Sequence, residues 1–135
     1  MQRGIAPALC EEIKRVFKEA GAALGANPLE PSTMLGPIVD QQQFERIMSY
    51  IEIGKKTATL VAGGQRKGDK GCFIEPTLFL NPDPESPVVK EEIFGPVMTI
   101  QTFETEEEAI QMANNTSYGL AGTCICLLWT RKLGC

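Results

Sequence analysis

Histidine is absent from this sequence of 135 residues. Its absence excludes Ser-His-Asp and Cys-His nucleophile activation within the chain, and it also excludes metal sites built on imidazole. Any acid, base or nucleophile that these residues supply has to be a carboxylate, a lysine or a thiol. The sequence also lacks a C-x-x-C pair, and its five cysteines match no zinc spacing, so we expect neither a disulfide framework nor a metal site.

Long apolar runs and clusters of basic residues are absent as well. No stretch approaches the roughly 18 apolar residues of a membrane helix, and no signal-peptide block opens the sequence. Seventeen acidic against thirteen basic side chains give a net charge of -4, which disfavours binding to phosphate backbones or anionic lipids. We therefore expect a soluble, cytoplasmic protein that binds neither nucleic acid nor a membrane.

What the sequence does contain is the composition of an ordinary globular domain, with 43% hydrophobic and 22% charged residues. Helical periodicity marks residues 9–20, an amphipathic segment whose end is expected near Gly21 or Gly25. A second helix is expected to begin at Asp40, which is placed to form a capping box with Gln43. The apolar residues after this start recur along one helical stripe: Phe44, Ile47, Met48 and Ile51.

Short apolar segments further along the chain are typical of strands: "TLVAGG", "CFIEPTLFL", "PVMTIQTF" and "YGLAGTCICLLW". Pro76 interrupts the second of them, which favours an edge strand or a bulge there. Between the third and the fourth, Thr105 and Glu108 are spaced as a capping box and predict another helix. The order of these helices and strands predicts an α/β fold.

The stretch "VVKEEIFGPVMTI" places two adjacent carboxylates before an aromatic ring and a Gly-Pro turn. A carboxylate accepts two hydrogen bonds side by side, which suits a vicinal diol such as a ribose, and Glu91 and Glu92 are the candidates. On an extended chain, Phe94 projects to the same side as Glu92 and offers a flat apolar face. From these residues alone, a pair of solvated charges at the start of a strand remains the favoured interpretation.

Two polar side chains flank the apolar stripe of the second helix. Gln43 and Arg46 lie on faces adjacent to that stripe, from which they could reach a bound ligand. Solvated polar residues on a helix surface are the commoner explanation, and the residues alone favour it.

Motifs from most of the chain carry a resemblance to a known family: "LGPIVDQQQFERIMSYIEIGKKTATLVAGG", "GCFIEPTLF", "KEEIFGPV" and "NNTSYGLAG". Their order and spacing resemble those of the aldehyde dehydrogenase superfamily. The resemblance covers about residues 9–123, nearly the whole chain. It implies an α/β fold that is part of the family's catalytic domain, with a mixed or parallel sheet flanked by helices.

The resemblance also implies an NAD(P)-dependent enzyme that oxidises aldehydes to carboxylic acids through a cysteine nucleophile. By resemblance, Glu92 matches the glutamate that holds the nicotinamide ribose hydroxyls, and Phe94 matches the aromatic residue beside the nicotinamide ring. Gln43 and Arg46 match helix positions near the cofactor, although the family often has lysine where Arg46 stands. The expected cofactor is therefore NAD or NADP, and the expected cofactor-binding residues are Glu92, Phe94, Gln43 and Arg46.

Other parts of the family pattern have no counterpart in residues 1–135. They are the Gly-Gln-x-Cys nucleophile segment, the general-base glutamate, the Rossmann-like cofactor domain and the C-terminal oligomerisation strand; Cys10 stands in a different context, "APALC". We therefore expect residues 1–135 to be a partial catalytic domain without a catalytic residue and inactive alone. The parent enzyme is expected to act on a small aldehyde as a homodimer or homotetramer. The alternative is a non-catalytic truncated product that acts only as a binding or structural fragment or as an antigen.

Overall fold

The computed structural model describes residues 1–27 and 29–125. The elements of this described part are, in chain order, α1 (Ala6–Ala22), α2 (Gln41–Thr57), β1 (Thr59–Ala62), β2 (Thr77–Leu80), α3 (Pro87–Lys90), β3 (Val97–Ile100) and α4 (Glu106–Asn114). The helices that the sequence predicts, α1, α2 and α4, are all present, and Gly25 follows α1 with a left-handed φ of 89°. The sequence does not predict α3, because a single helical turn is too short to show a periodicity.

The sheet of the described residues has three strands in the order β1-β2-β3. β1 runs antiparallel to β2, with Thr59 opposite Leu80, and β2 runs parallel to β3, with Thr77 opposite Val97. The predicted α/β fold, with a mixed sheet flanked by helices, is therefore confirmed. Side chains along a strand project alternately towards the two faces of a sheet, so β2, the central strand, contributes side chains to both faces.

Two apolar clusters cover the two faces of this sheet. Phe79 of β2 is fully buried in the cluster of α2, together with the fully buried Ile47. Its neighbour Leu78 is fully buried in the cluster of α1, where it packs with Cys10 and Ile100. Burying a large apolar side chain contributes roughly 1.5–3 kcal/mol. The alternation along β2 therefore stabilises α1 and α2 on opposite faces of the sheet.

β2 is not an edge strand, and the prediction drawn from Pro76 is wrong. Pro76 precedes the strand, so its missing N–H removes no hydrogen bond from the β2 ladder. The next residue, Thr77, donates its N–H to the carbonyl oxygen of Pro96 at 2.8 Å, which starts the pairing with β3. The irregularity lies in β1 instead, where the register shifts between Leu60 and Ala62.

The strand predicted at "YGLAGTCICLLW" is not formed by residues 118–125. These residues have no strand geometry, and the side chains of Leu120 and Ile125 are fully exposed or nearly so. An apolar run becomes a strand only where a neighbouring strand offers its N–H and C=O groups, and the sheet of the described residues does not include this segment. Residues 126–129, the rest of the prediction, lie outside the described residues.

α1 and α4 differ in how much of their surface is buried. α1 buries residues at helical spacing, among them Cys10 and Ala20, against the sheet. No residue of α4 is buried, and its Ile110 is 55% exposed. The apolar side of α4 is therefore open at the surface. None of the helices in the described ranges has both the length and the apolar content needed to cross a membrane.

Gly63 brings the chain after β1 against the residue that precedes β2. Its φ is 69°, and a Cβ atom at this position would lie 2.1 Å from the carbonyl oxygen of Pro76. Gly68 has a similar φ of 65°, but a Cβ atom there would meet nothing within 4 Å. Both positions favour glycine for its backbone, and only Gly63 also depends on the missing side chain.

We expect Gly63→Ala to lower the free energy of unfolding more than Gly68→Ala does. The left-handed backbone costs an alanine roughly 1–2 kcal/mol at either position. At Gly63 the contact with the Pro76 carbonyl adds an overpacking cost on the order of 1–3 kcal/mol. Urea unfolding followed by circular dichroism, with each substitution in the same protein, measures the difference. Equal losses would mean that Pro76 yields to the new methyl group, and they would contradict the prediction.

Candidate functional site

The candidate residues meet where α2 passes the connection between α3 and β3. We call this connection, Glu91–Pro96, the EEIFGP segment. It is neither helix nor strand, and it leads directly into β3. Ile93 is buried in the cluster of α2, whereas Glu92 is exposed and Phe94 is 75% exposed. Ile93 therefore anchors the segment while its two neighbours face outward.

Gln43 connects α2 to this segment. The Asp40 side chain caps α2 by accepting a hydrogen bond from the Gln43 N–H at 2.7 Å, as the sequence predicts. The Gln43 side chain does not return to complete the capping box. Its amide donates instead to the carbonyl oxygens of Ile93 at 3.3 Å and Phe94 at 3.1 Å. The Gln43 amide therefore bonds the EEIFGP segment instead of the N-terminus of α2.

Arg46, about one turn further along α2, holds Glu92, the residue before Ile93 in the segment. Its guanidinium donates to the carbonyl oxygen of Glu92 at 3.2 Å. The Cζ atom of Arg46 also lies 5.6 Å from the centroid of the Tyr50 ring, a cation–π distance. Hydrogen bonding with the Tyr50 side chain raises the pKa of Arg46 above its ordinary value. Arg46 therefore carries its charge between the Tyr50 ring and the segment backbone.

The two adjacent glutamates have different surroundings. The Tyr50 hydroxyl donates to Oε2 of Glu91 at 2.5 Å, so this carboxylate is tied to α2. The Glu92 carboxylate makes no hydrogen bond or ion pair with any described residue, although its N–H donates to the Tyr118 hydroxyl at 3.3 Å. Within the described ranges, Glu92 is thus held through its backbone, and its side-chain oxygens face no protein partner.

Phe94 has a left-handed backbone, with a φ of 57°. The prediction that Phe94 and Glu92 project to the same side assumes an extended chain, and that assumption is wrong. A Cβ atom at Gly95 would lie 2.6 Å from Cδ1 of the fully buried Ile47, so the segment packs directly on α2. The chain turns at this contact before it enters β3, and the Phe94 ring remains exposed on the outer side of the turn.

All four residues that the sequence singles out for cofactor binding lie at this junction. Gln43 and Arg46 contact the segment backbone, and Glu92 and Phe94 are exposed side chains of the segment. Sequence reasoning missed Tyr50, which binds both Glu91 and Arg46. Its i, i+3, i+7 spacing with Gln43 and Arg46 places the three on one side of α2, and this signal is present in the sequence.

The cysteines of the described ranges occupy different environments. Cys10 is buried between α1 and the sheet, Cys72 is half-buried with its Sγ 3.6 Å from Oε1 of Gln41, and Cys124 is exposed. The Cys10 thiol therefore lies in the core and is not accessible as a nucleophile. Among residues 1–27 and 29–125, no group of three His, Cys, Asp or Glu side chains is placed to hold a metal ion.

Comparison with known sequences connects nearly all of this chain to one family. The aldehyde dehydrogenase family model matches residues 1–133. An aldehyde dehydrogenase of Alternaria alternata is 55% identical over an alignment of 108 residues that covers 78% of this chain and 22% of that protein. A 1-pyrroline-5-carboxylate dehydrogenase of Bacillus licheniformis is 44% identical over 115 residues, which make up 85% of this chain and 22% of that protein. The chain therefore spans less than a quarter of the length of these relatives.

Comparison with solved structures gives the same result. The NAD+ complex of an aldehyde dehydrogenase from Bacillus cereus superimposes with a TM-score of 0.80 and 41% identity, over 87% of this chain and 24% of that one. A 1-pyrroline-5-carboxylate dehydrogenase from Thermus, solved with bound NAD, gives a TM-score of 0.78 and 36% identity, over 87% of this chain and 22% of that one. The described fold is thus similar to one part of enzymes that bind NAD.

We expect Gln43→Ala to loosen the EEIFGP segment, because it removes the amide that holds two of the segment's carbonyl groups. The loss of about 1 kcal/mol of net hydrogen-bond energy raises the population of the locally open state of the segment roughly fivefold. Hydrogen–deuterium exchange of a peptide that covers residues 91–97 measures this. Gln41→Ala is the matched control, because the hydrogen bonds of the Gln41 side chain go to Glu45 and to the Cys72 thiol, both outside residues 91–97. Equal protection of the peptide in both variants would contradict the prediction.

Proposed function

The chain belongs to the aldehyde dehydrogenase family, and on that premise we propose that it is part of an NAD(P)-dependent enzyme that oxidises aldehydes to carboxylic acids. The observation that carries the proposal is the junction of α2 with the EEIFGP segment. It presents the Glu92 carboxylate, which bonds no other described residue, and the exposed Phe94 ring from a backbone held by Gln43 and Arg46. An unpaired carboxylate and an exposed ring are the groups that a hydroxylated, aromatic cofactor would contact.

Glu92 and Phe94 would contact the nicotinamide half of the cofactor. The two oxygens of a carboxylate can accept hydrogen bonds from two neighbouring hydroxyl groups, so Glu92 would bind the ribose. The Phe94 ring offers a flat apolar face to the nicotinamide ring, where aromatic packing adds to apolar burial. When bound, NAD or NADP supplies a hydride acceptor. The contribution of Glu92 and Phe94 is to bind and orient that acceptor.

Gln43 and Arg46 would bind the cofactor through groups that the segment does not use. The Gln43 amide has an oxygen acceptor besides the N–H groups that hold Ile93 and Phe94. Arg46 has five guanidinium N–H donors, and in the described part of the chain one of its nitrogens donates to Glu92. Both side chains would then contact the segment and the ligand together. Arginine in place of lysine keeps the charge but offers a planar group instead of a point charge.

The remaining features of the proposal concern the whole enzyme. Residues 1–135 would form part of its catalytic domain, while other segments supply the cofactor domain, the nucleophile and the oligomerisation strand. The substrate would be a small aldehyde, and the enzyme would act as a homodimer or homotetramer. The small share of each relative that the chain spans, 22%, supports the division of the site between segments. A cytoplasmic location remains a prediction.

We expect purified chain 1–135 to form no NADH from NAD+ and aldehyde. Oxidation of an aldehyde in this family depends on a covalent thiolate nucleophile, and Cys10 is enclosed in the core. Absorbance of NADH measures the reaction, with a full-length enzyme that contains this segment as the positive control. Activity of the short chain would mean that one of its own cysteines acts as the nucleophile, and it would contradict the division of the site.

We expect Glu92→Gln in the full-length enzyme to slow hydride transfer by roughly tenfold to a hundredfold, which is the effect of losing a hydrogen bond to a charged group. Glutamine keeps the shape of the side chain but replaces one oxygen acceptor with a donor. Single-turnover NADH formation measures the step. Glu52→Gln is the control, because Glu52 is an exposed carboxylate of α2 that pairs with Lys55. Hydride transfer that is equally fast in both variants rules out the ribose contact.

A further inference from the structure

The peptide groups around Glu92 are held on both sides. The Glu92 N–H donates to the Tyr118 hydroxyl at 3.3 Å, and the Glu92 carbonyl oxygen accepts from Arg46 at 3.2 Å. One residue earlier, the Glu91 carboxylate accepts a hydrogen bond from Tyr50 at 2.5 Å. The direction in which the Glu92 side chain leaves the backbone is therefore set by groups that do not touch its carboxylate.

Tyr50 is the residue that joins these contacts. Its ring is 8% exposed and packs in the cluster of α2, while its hydroxyl reaches out to the exposed Glu91. The same ring supports the Arg46 guanidinium that holds Glu92. One buried side chain thus controls the backbone of the segment both directly, through Glu91, and indirectly, through Arg46.

We propose that Tyr50 is a positioning residue for the nicotinamide cofactor: its hydrogen bond to Glu91 fixes the backbone from which Glu92 reaches the ribose. The proposal rests on the proposed function of Glu92. It goes further because the Tyr50 hydroxyl and Glu91 would not touch the cofactor themselves and would act on it through the position of Glu92. A hydrogen bond to an exposed carboxylate contributes little to global stability. A small misplacement of a binding group can nevertheless lower the affinity for its ligand strongly. The contribution of this bond is therefore to orient Glu92.

The test is a double-mutant cycle in a full-length enzyme that contains this segment. Tyr50→Phe removes the hydroxyl and keeps the buried ring. We expect it to raise the Kd of NAD+, measured by isothermal titration calorimetry, by about threefold to tenfold, the effect of one hydrogen bond. In the Glu92→Gln background, the same Tyr50→Phe change is expected to leave the Kd unaltered, because Tyr50 acts through Glu92. Glu91→Ala removes the acceptor of the same bond and should raise the Kd as Tyr50→Phe does.

The matched control is Ser86→Ala. The Ser86 side chain is buried, and its hydroxyl bonds Thr57 at the other end of α2 at 3.0 Å. This variant should leave the Kd of NAD+ unchanged, so any loss of affinity in Tyr50→Phe cannot be assigned to a weakened α2 in general.

The other outcomes distinguish the ribose contact of Glu92 from the positioning role of Tyr50. If Glu92→Gln weakens NAD+ and Tyr50→Phe does not, the positioning role is wrong and the ribose contact stands. If both weaken NAD+ and their effects add in full, Tyr50 acts independently of Glu92, and the positioning role is again wrong. If Glu92→Gln leaves the Kd unchanged, the ribose contact fails and the positioning role fails with it.

Discussion

The packing of α2 against the sheet is the constraint on which the site depends. The apolar stripe of α2 is buried with Phe79 of β2, and Ile47 from that stripe lies against Gly95 with no room for a side chain between them. The hydrophobic effect thus places the helix, and its polar flank then lies beside the EEIFGP segment. Gln43 and Arg46 need only short reaches to the segment's carbonyl groups, because the core has already brought the two backbones together.

The parallel pairing of β2 and β3 supplies the second half of this arrangement. Parallel strands start at the same end of a sheet, so the chain that leaves β2 has to return to that end before β3 begins. The bond from Thr77 to Pro96 joins the two starts. The EEIFGP segment lies just before that point, and its exposed residues are therefore presented next to the start of β3. Such support gives a binding group a defined position.

Much of the fold could be predicted from local sequence because its causes are local. The start of α2 follows from the Asp40 cap, and its core face follows from the apolar stripe. Predictions failed where the outcome depends on a neighbour. Pro76 favours an edge strand or a bulge on sequence grounds, because its position one residue outside the central strand is not visible in the sequence. The apolar run from residue 118 predicts a strand by its composition, but a strand also needs a partner with free backbone groups.

The candidate site divides in the same way. The sequence by itself determined which residue types stand in the EEIFGP segment, where α2 begins, and that Gln43, Arg46 and Tyr50 share one side of that helix. Only the tertiary structure decided that Glu91 is tied to Tyr50 while the Glu92 carboxylate bonds nothing in the part of the chain that the structure describes, and that Phe94 has a left-handed backbone. The reason is physical: two adjacent carboxylates are chemically alike in a chain. They differ only when folding brings a hydroxyl from 41 residues away to one of them.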